Sequence, residues 1–95
     1  MTGWGNTAVR VSDAVAWTSG ESRVVAMDMT TPGAAPLILE ASAAVIWEEI
    51  AAAGPIPTDE LLDRLAALFD VAEDDIRGDV EKLIADLVAR NLLAA

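Results

Sequence analysis

Hydrophobic positions keep one rhythm up to residue 39 of this chain and another from residue 42 onward. In "RVVAMDM", residues 23–29, Val25, Met27 and Met29 fall on one side and Val24, Ala26 and Asp28 on the other, the alternation of a half-buried strand. Upstream, "AVRVS" and "AVAWT" are short extended segments broken at Ser12 and Asp13, so they read as an interrupted first strand. The residues before them, 1–8, carry no pattern and are expected to be mobile. "SGES" and "TTPGAAP" are turn-like, the second punctuated by Pro32 and Gly33, and a third strand is expected over residues 35–39.

The rhythm changes inside "PLILEASAAVIWEEI", residues 36–50. Leu37 and Leu39 still alternate, whereas Ala43, Ile46, Trp47 and Ile50 fall three and four apart, as on one face of a helix. Ser42 is the expected N-cap, and Gly54 followed by Pro55 ends this helix. A tight connection leads to a second helix capped by Thr58, with Asp59 and Glu60 in its first turn and Leu61, Leu62, Leu65, Leu68 and Phe69 as its stripe. A third helix starts within "AEDD" and carries Ile76, Val80, Leu83, Ile84, Leu87 and Val88 at helical spacing. Arg90 sits at its negative end, and Asn91, which tolerates the left-handed conformation, closes it. Strands first and helices second predict an α+β domain: a three-stranded antiparallel sheet followed by three α-helices, close in order to a winged helix-turn-helix.

Composition narrows the function more than the fold. Ninety-five residues make one domain with a modest core and little room for a deep pocket. Without Cys there are no disulfides or thiolate ligands, and without His the commonest general base and metal ligand near neutral pH is missing. No apolar run approaches the roughly 20 residues that span a bilayer. "MTGWGNTAVRVSD" has neither a basic nor an apolar signal-like segment, so a cytoplasmic location without membrane contact is expected. The formal charge is −10, and thirteen of the sixteen acids lie within residues 40–86. Phosphate backbones would be repelled.

Those acids do not form a catalytic constellation. Glu48-Glu49, Asp59-Glu60 and Glu73-Asp74-Asp75 lie in first turns or on polar faces, where nothing desolvates a carboxyl to make it a general acid. "DVAEDD" lacks the alternating spacing of a calcium loop. Ser42 stands between alanines and is accounted for as a cap rather than as the modified serine of an acidic carrier. No enzyme activity, metal or cofactor is implied. A DNA-reading helix would need exposed Arg or Lys, and both of the last two helices are net acidic.

On a wheel at 100° per residue, the apolar positions of the third helix span about 140°, wider than the roughly 100° stripe that docks on one core. One margin can therefore pack against both sheet and helices, or it can wall a groove beside the last strand that accepts an extended peptide by strand addition. In the second case Ile76 and Val80 would be half-buried in the free protein.

Three segments together resemble the PqqD-like proteins, the recognition elements of ribosomally made, post-translationally modified peptide (RiPP) pathways. "LILEASAAVIWEEI" is similar to the family's strand-to-helix segment through Leu39, Ser42, Ile46 and Trp47. "GPIPTDELLDRLAALFDV" matches it through Gly54, Thr58, Leu61, Leu65 and Phe69, and "DVEKLIADLVARNLL" through Asp79, Val80, Leu83, Ile84, Leu87, Leu92 and Leu93. Glu40 stands where the family usually has Asn, and Asn91 where it usually has Gly. Within the family, a stand-alone chain with "VVAMDM" and "VIW" most resembles the recognition subunits of lasso-peptide pathways.

The resemblance implies a non-catalytic protein that holds the leader of a precursor peptide as an added strand between the third strand and the third helix. It then hands the leader to a transglutaminase-like peptidase and to an asparagine-synthetase-like cyclase. By position, Ala34, Ala35, Pro36, Leu37, Ile38 and Leu39 would supply the docking edge. Ile76, Asp79, Val80 and Leu83 would form the opposing wall, with Asp79 available to a leader Arg, Lys or Tyr. Two other readings, a winged-helix transcriptional regulator domain and an acidic carrier or scaffold subunit, fit parts of the chain.

Overall fold

The computed structural model describes residues 7–95. In chain order the elements are β1 (Ala8–Val11), β2 (Val15–Gly20), β3 (Arg23–Asp28), β4 (Leu37–Glu40), α1 (Ser42–Ala53), β5 (Ile56–Pro57), α2 (Thr58–Phe69), α3 (Glu73–Ala89) and β6 (Leu93–Ala94). The α+β order expected from the two rhythms is present: an antiparallel sheet β2-β3-β4 followed by three helices. β3 is central, with Thr18, Val25 and Ile38 aligned across the three strands and Trp17, Ala26 and Leu37 aligned beside them. Because side chains alternate across a sheet, Val24, Ala26 and Leu39 face the helices while Ile38 faces outward.

The interrupted first strand is two strands in two sheets. β1, parted from the main sheet at Ser12, pairs antiparallel with both β5 and β6, so the N-terminal strand clasps the start of α2 and the end of α3. Ser12 N–H donates to the Leu92 carbonyl at 3.1 Å, which holds the break in place. β5 and β6 have two residues each, too short for any periodic signal, so "AAAGPIP" read as a simple helix connection. The expected mobile start falls mainly on residues 1–6, outside the described residues. Thr7, by contrast, is tied down: its carbonyl accepts the N–H and the hydroxyl of Thr58, each at 3.0 Å.

Two expected caps are used differently. Thr58 is fully buried and spends its hydroxyl on Thr7 instead of its own helix, and Ser42 is the first residue of α1 rather than its cap. The cap position belongs to Ala41, held at φ 54°, ψ −127°. That left-handed region strains any side-chain-bearing residue, and the turn persists because Ala41 N–H donates to the Ser22 carbonyl at 3.1 Å while its own carbonyl takes the Val45 N–H at 3.2 Å. Asp70 and Asn91 close α2 and α3 at φ 57° and 63°, a region their short polar side chains tolerate. Trp47, Ile50, Leu61, Leu65, Ile84 and Leu87 are buried where the three helices meet the inner sheet face. Among the described residues, no helix is long and apolar enough to cross a membrane.

Candidate functional site

β4 is an edge strand, bonded to β3 on one side and open on the other. The direction of its backbone groups follows from the Ala41 bond to Ser22. In an antiparallel pair, facing and outward-turned residues alternate, so Leu37 and Leu39 share the Ala41 phase and turn their N–H and C=O toward β3. Ile38 and Glu40 turn theirs to the open side. The Ile38 side chain, 55% exposed, stands on the outer face of the sheet.

The C-terminal end of α3 lies across a concavity from the start of β4. Asp79, Leu83, Asp86 and Arg90 recur at intervals of four, three and four, one stripe along the helix. Asp79, Lys82, Leu83 and Asp86 line an open concavity of about 340 Å³ with Leu83 as its apolar floor. A second concavity, about 290 Å³, is walled on one side by Ala34, Ala35 and Leu37 and on the other by Ala89, Arg90, Asn91 and Leu92, with Asp28 and Thr31 between. The Asp86–Arg90 ion pair, 3.1 Å, places one residue in each, so the two concavities follow one another along the helix. A larger hollow of about 650 Å³ surrounds the β2–β3 turn, but it holds no α3 residue and is bridged by the Arg23–Glu40 pair at 3.0 Å.

The structure therefore brings Ala34, Ala35 and Leu37 against the C-terminal end of α3, and Asp79 and Leu83 onto its exposed stripe. Pro36 is exposed between them. Leu39 contributes its side chain to the core and its backbone to β3. Ile76 is half-buried, as expected. Val80 is not: at 2% exposure it belongs to the core with Ile84 and Leu87, so the outer margin of the wide stripe runs through Ile76 and Leu83. Asp79 has no ion pair or hydrogen bond among the described residues.

The sequence reading gave Asp28, Thr31, Asp86 and the residues Ala89–Leu92 no place in the groove, though it expected Asn91 to close α3. Asp28 is 7% exposed and accepts Thr30 N–H at 2.9 Å, Thr30 Oγ1–H at 2.6 Å, Thr31 Oγ1–H at 2.6 Å and Asn91 Nδ2–H at 3.4 Å. The Thr30 and Thr31 donors lead in holding its carboxyl down to about 2, against an ordinary 3.8. The available signal was Asp28 followed by two threonines, the local pattern of a carboxylate that organises a turn.

A family model described as Coenzyme PQQ synthesis protein D (PqqD) matches residues 24–93. The chain belongs to the PqqD family. The matched PqqD region takes in all three helices, β4 and nearly all of β3, and leaves β1 and β2 outside. A solved structure described as TbiB1 in complex with the TbiA(beta) leader peptide has the same fold, with a TM-score of 0.77 and 21% identity over 90% of this chain and 95% of that one. No curated protein matches this PqqD-family chain in sequence.

Proposed function

We propose that this PqqD-family protein binds the leader region of a ribosomally made precursor peptide as an added antiparallel strand on β4, beside the exposed stripe of α3. The observation that carries this reading is the Ile38 backbone, whose N–H and C=O face an unpaired edge that starts, at Leu37, beside a concavity shared with the end of α3. Main-chain bonds at that edge supply affinity, and Leu83 with Asp79 and Asp86 selects among leader side chains. An apolar leader residue beside a basic one fits this wall. No reacting group is needed, so the protein acts as a non-catalytic adaptor. Family membership and the fold shared with TbiB1, a protein solved with a leader peptide bound, support the reading. The sequence resemblance set out above extends the proposal to a cytoplasmic lasso-peptide pathway, with delivery to a transglutaminase-like peptidase and an asparagine-synthetase-like cyclase.

The test is a fluorescence-polarisation titration with the labelled leader region of the precursor encoded beside this gene, with random duplex DNA as a second probe. Saturable leader binding and no DNA binding at low salt support the adaptor. DNA binding without leader binding would replace it with the regulator reading.

A further inference from the structure

β4 is four residues long, and its two ends are held by different means. At Glu40 the sheet continues into the Ala41–Ser22 bond and the Arg23–Glu40 pair. At Leu37 the ladder stops, and residues 29–36, which lead into the edge, have no strand pairing. Met29 N–H still bonds the Ala14 carbonyl at 2.9 Å, and beyond it one carboxylate gathers the approach. Asp28 Oδ1 accepts both the N–H and the hydroxyl of Thr30, which fixes the turn. Asp28 Oδ2 accepts the Thr31 hydroxyl at 2.6 Å, on the segment that leads to the Ala34 side of the 290 Å³ concavity, and Asn91 Nδ2 at 3.4 Å from the α3 side. Thr31 passes the constraint on, its carbonyl accepting Ala34 N–H at 3.1 Å three residues before β4. Asn91 is itself set by the end of α3, in the left-handed conformation with its N–H on the Val88 carbonyl at 3.0 Å.

We propose that Asp28 is the positioning residue of the peptide site: its Oδ2 bridges the approach to β4 and the last turn of α3, and so sets the direction of the open edge and the width of the groove's end before any peptide arrives. The inference rests on the proposed leader-binding function. Strand addition needs several backbone bonds to form in one register, and an edge that must first be ordered loses affinity by the cost of ordering it. A carboxylate serves better than an amide here because it accepts four donors as they stand, whereas an Asn would need the Thr31 hydroxyl to turn and accept and the Asn91 amide to flip. The low pKa agrees with this, since the bridge stays charged throughout the physiological range.

Three variants separate positioning from stability in the full chain. Asn91→Gly keeps the left-handed turn and removes only the cross-groove donor. Thr31→Val keeps shape and removes the donor on the approach to β4. Asp28→Asn disturbs both. Each is melted, and each is titrated, far below its melting midpoint, with the labelled leader region of the neighbouring precursor; Asp13→Asn, in the β1–β2 turn, controls for net charge. The expected result is a loss of affinity of about tenfold for Thr31→Val, typical of one charge-assisted hydrogen bond, and a smaller loss of a few-fold for Asn91→Gly, whose bond is longer, with the double variant losing less than the product. Amide exchange at Ala34 and Leu37, whose N–H groups are held by the Thr31 carbonyl and by β3, should quicken in the free variants. If wild-type protein binds and the folded variants bind as tightly as it does, Asp28 is only structural and the inference falls while leader binding stands. If wild-type protein binds no leader, the proposed function falls and takes the positioning role with it.

Discussion

The indole of Trp17 stands edge-on to that of Trp47, ring centroids 5.9 Å apart and planes at 73°. Trp17 comes from β2 and is 37% exposed; Trp47 comes from α1 and is fully buried. The pair joins the far edge of the sheet to the helix that follows β4, so the support of the docking edge is cross-braced from the opposite side. Trp47 Nε1 is buried with no hydrogen-bond partner among the described residues. Its ring is retained there for volume, not for its N–H. Trp47→Phe should therefore cost only about 1–2 kcal/mol, because the lost packing is offset by removing an unpaired donor, whereas Trp47→Ala should cost about 3–5 kcal/mol. Urea unfolding of the two variants measures the difference, and equal losses would mean that ring volume is not what the core retains in Trp47.

Ile38 offers a sharper test of the edge. Its N–H faces away from β3, so Ile38→Pro deletes no ladder bond inside the sheet and should leave the protein folded while abolishing leader binding. Ile38→Ala, which keeps the N–H, should bind within a few-fold of wild type. Leu39→Pro removes a donor to β3 and should unfold the domain. Circular dichroism and polarisation titrations distinguish the three; a folded Ile38→Pro variant that binds normally would place the peptide elsewhere.

Leu83 and Val80 are close in sequence and opposite in consequence. Val80 and Ile84 lie in the core, so an Asp at either position leaves a buried, unpaired charge and should cost several kcal/mol, enough to unfold a domain of this size. Leu83 floors an open concavity, and Leu83→Asp should cost about 1 kcal/mol while opposing the apolar leader side chain that desolvates there. Thermal melts read the first effect and titrations the second.

Ala41 holds φ 54° with a side chain that disfavours it. Ala41→Gly relieves about 1–3 kcal/mol of strain and gives back about 0.5–1 kcal/mol in chain entropy, so a net gain of about 1 kcal/mol is expected. A loss of stability in urea unfolding would show that the alanine methyl makes a contact worth more than the strain.

Asp28 sets a pH dependence of definite sign. Its folded pKa lies below the unfolded value, so its contribution to stability is complete above the ordinary 3.8 and is lost as pH falls toward about 2. The stability gap between wild type and Asp28→Asn should be flat near neutral pH and close across that acid window. Glu73 works in the opposite sense. A hydrogen bond with Asp63, then desolvation and like charge, raise its pKa, so it opposes folding at neutral pH and the penalty fades as pH falls through its folded value. Asp63→Asn should therefore raise neutral-pH stability.

Much of this architecture follows from the chain read one residue at a time. The alternation through "RVVAMDM", the change of rhythm after Leu39 and the spacing of the leucines are local, and each names an element and its buried face without reference to the rest. Charge and composition are equally local, and the three segments that resemble the PqqD-like proteins agree with the family match over residues 24–93. What tertiary structure decided was every choice between partners. β1 pairs with two-residue strands from the middle and the end of the chain, Thr58 spends its hydroxyl on Thr7, and Asp28 meets Asn91 across 63 positions. Periodicity on α3 could say that the apolar stripe was too wide for one core, but which margin stayed open depended on where the sheet and α2 packed. Val80 went inside and Leu83 stayed at the rim, because a helical pattern fixes angles about its own axis and only neighbouring elements fix which of those angles meet solvent.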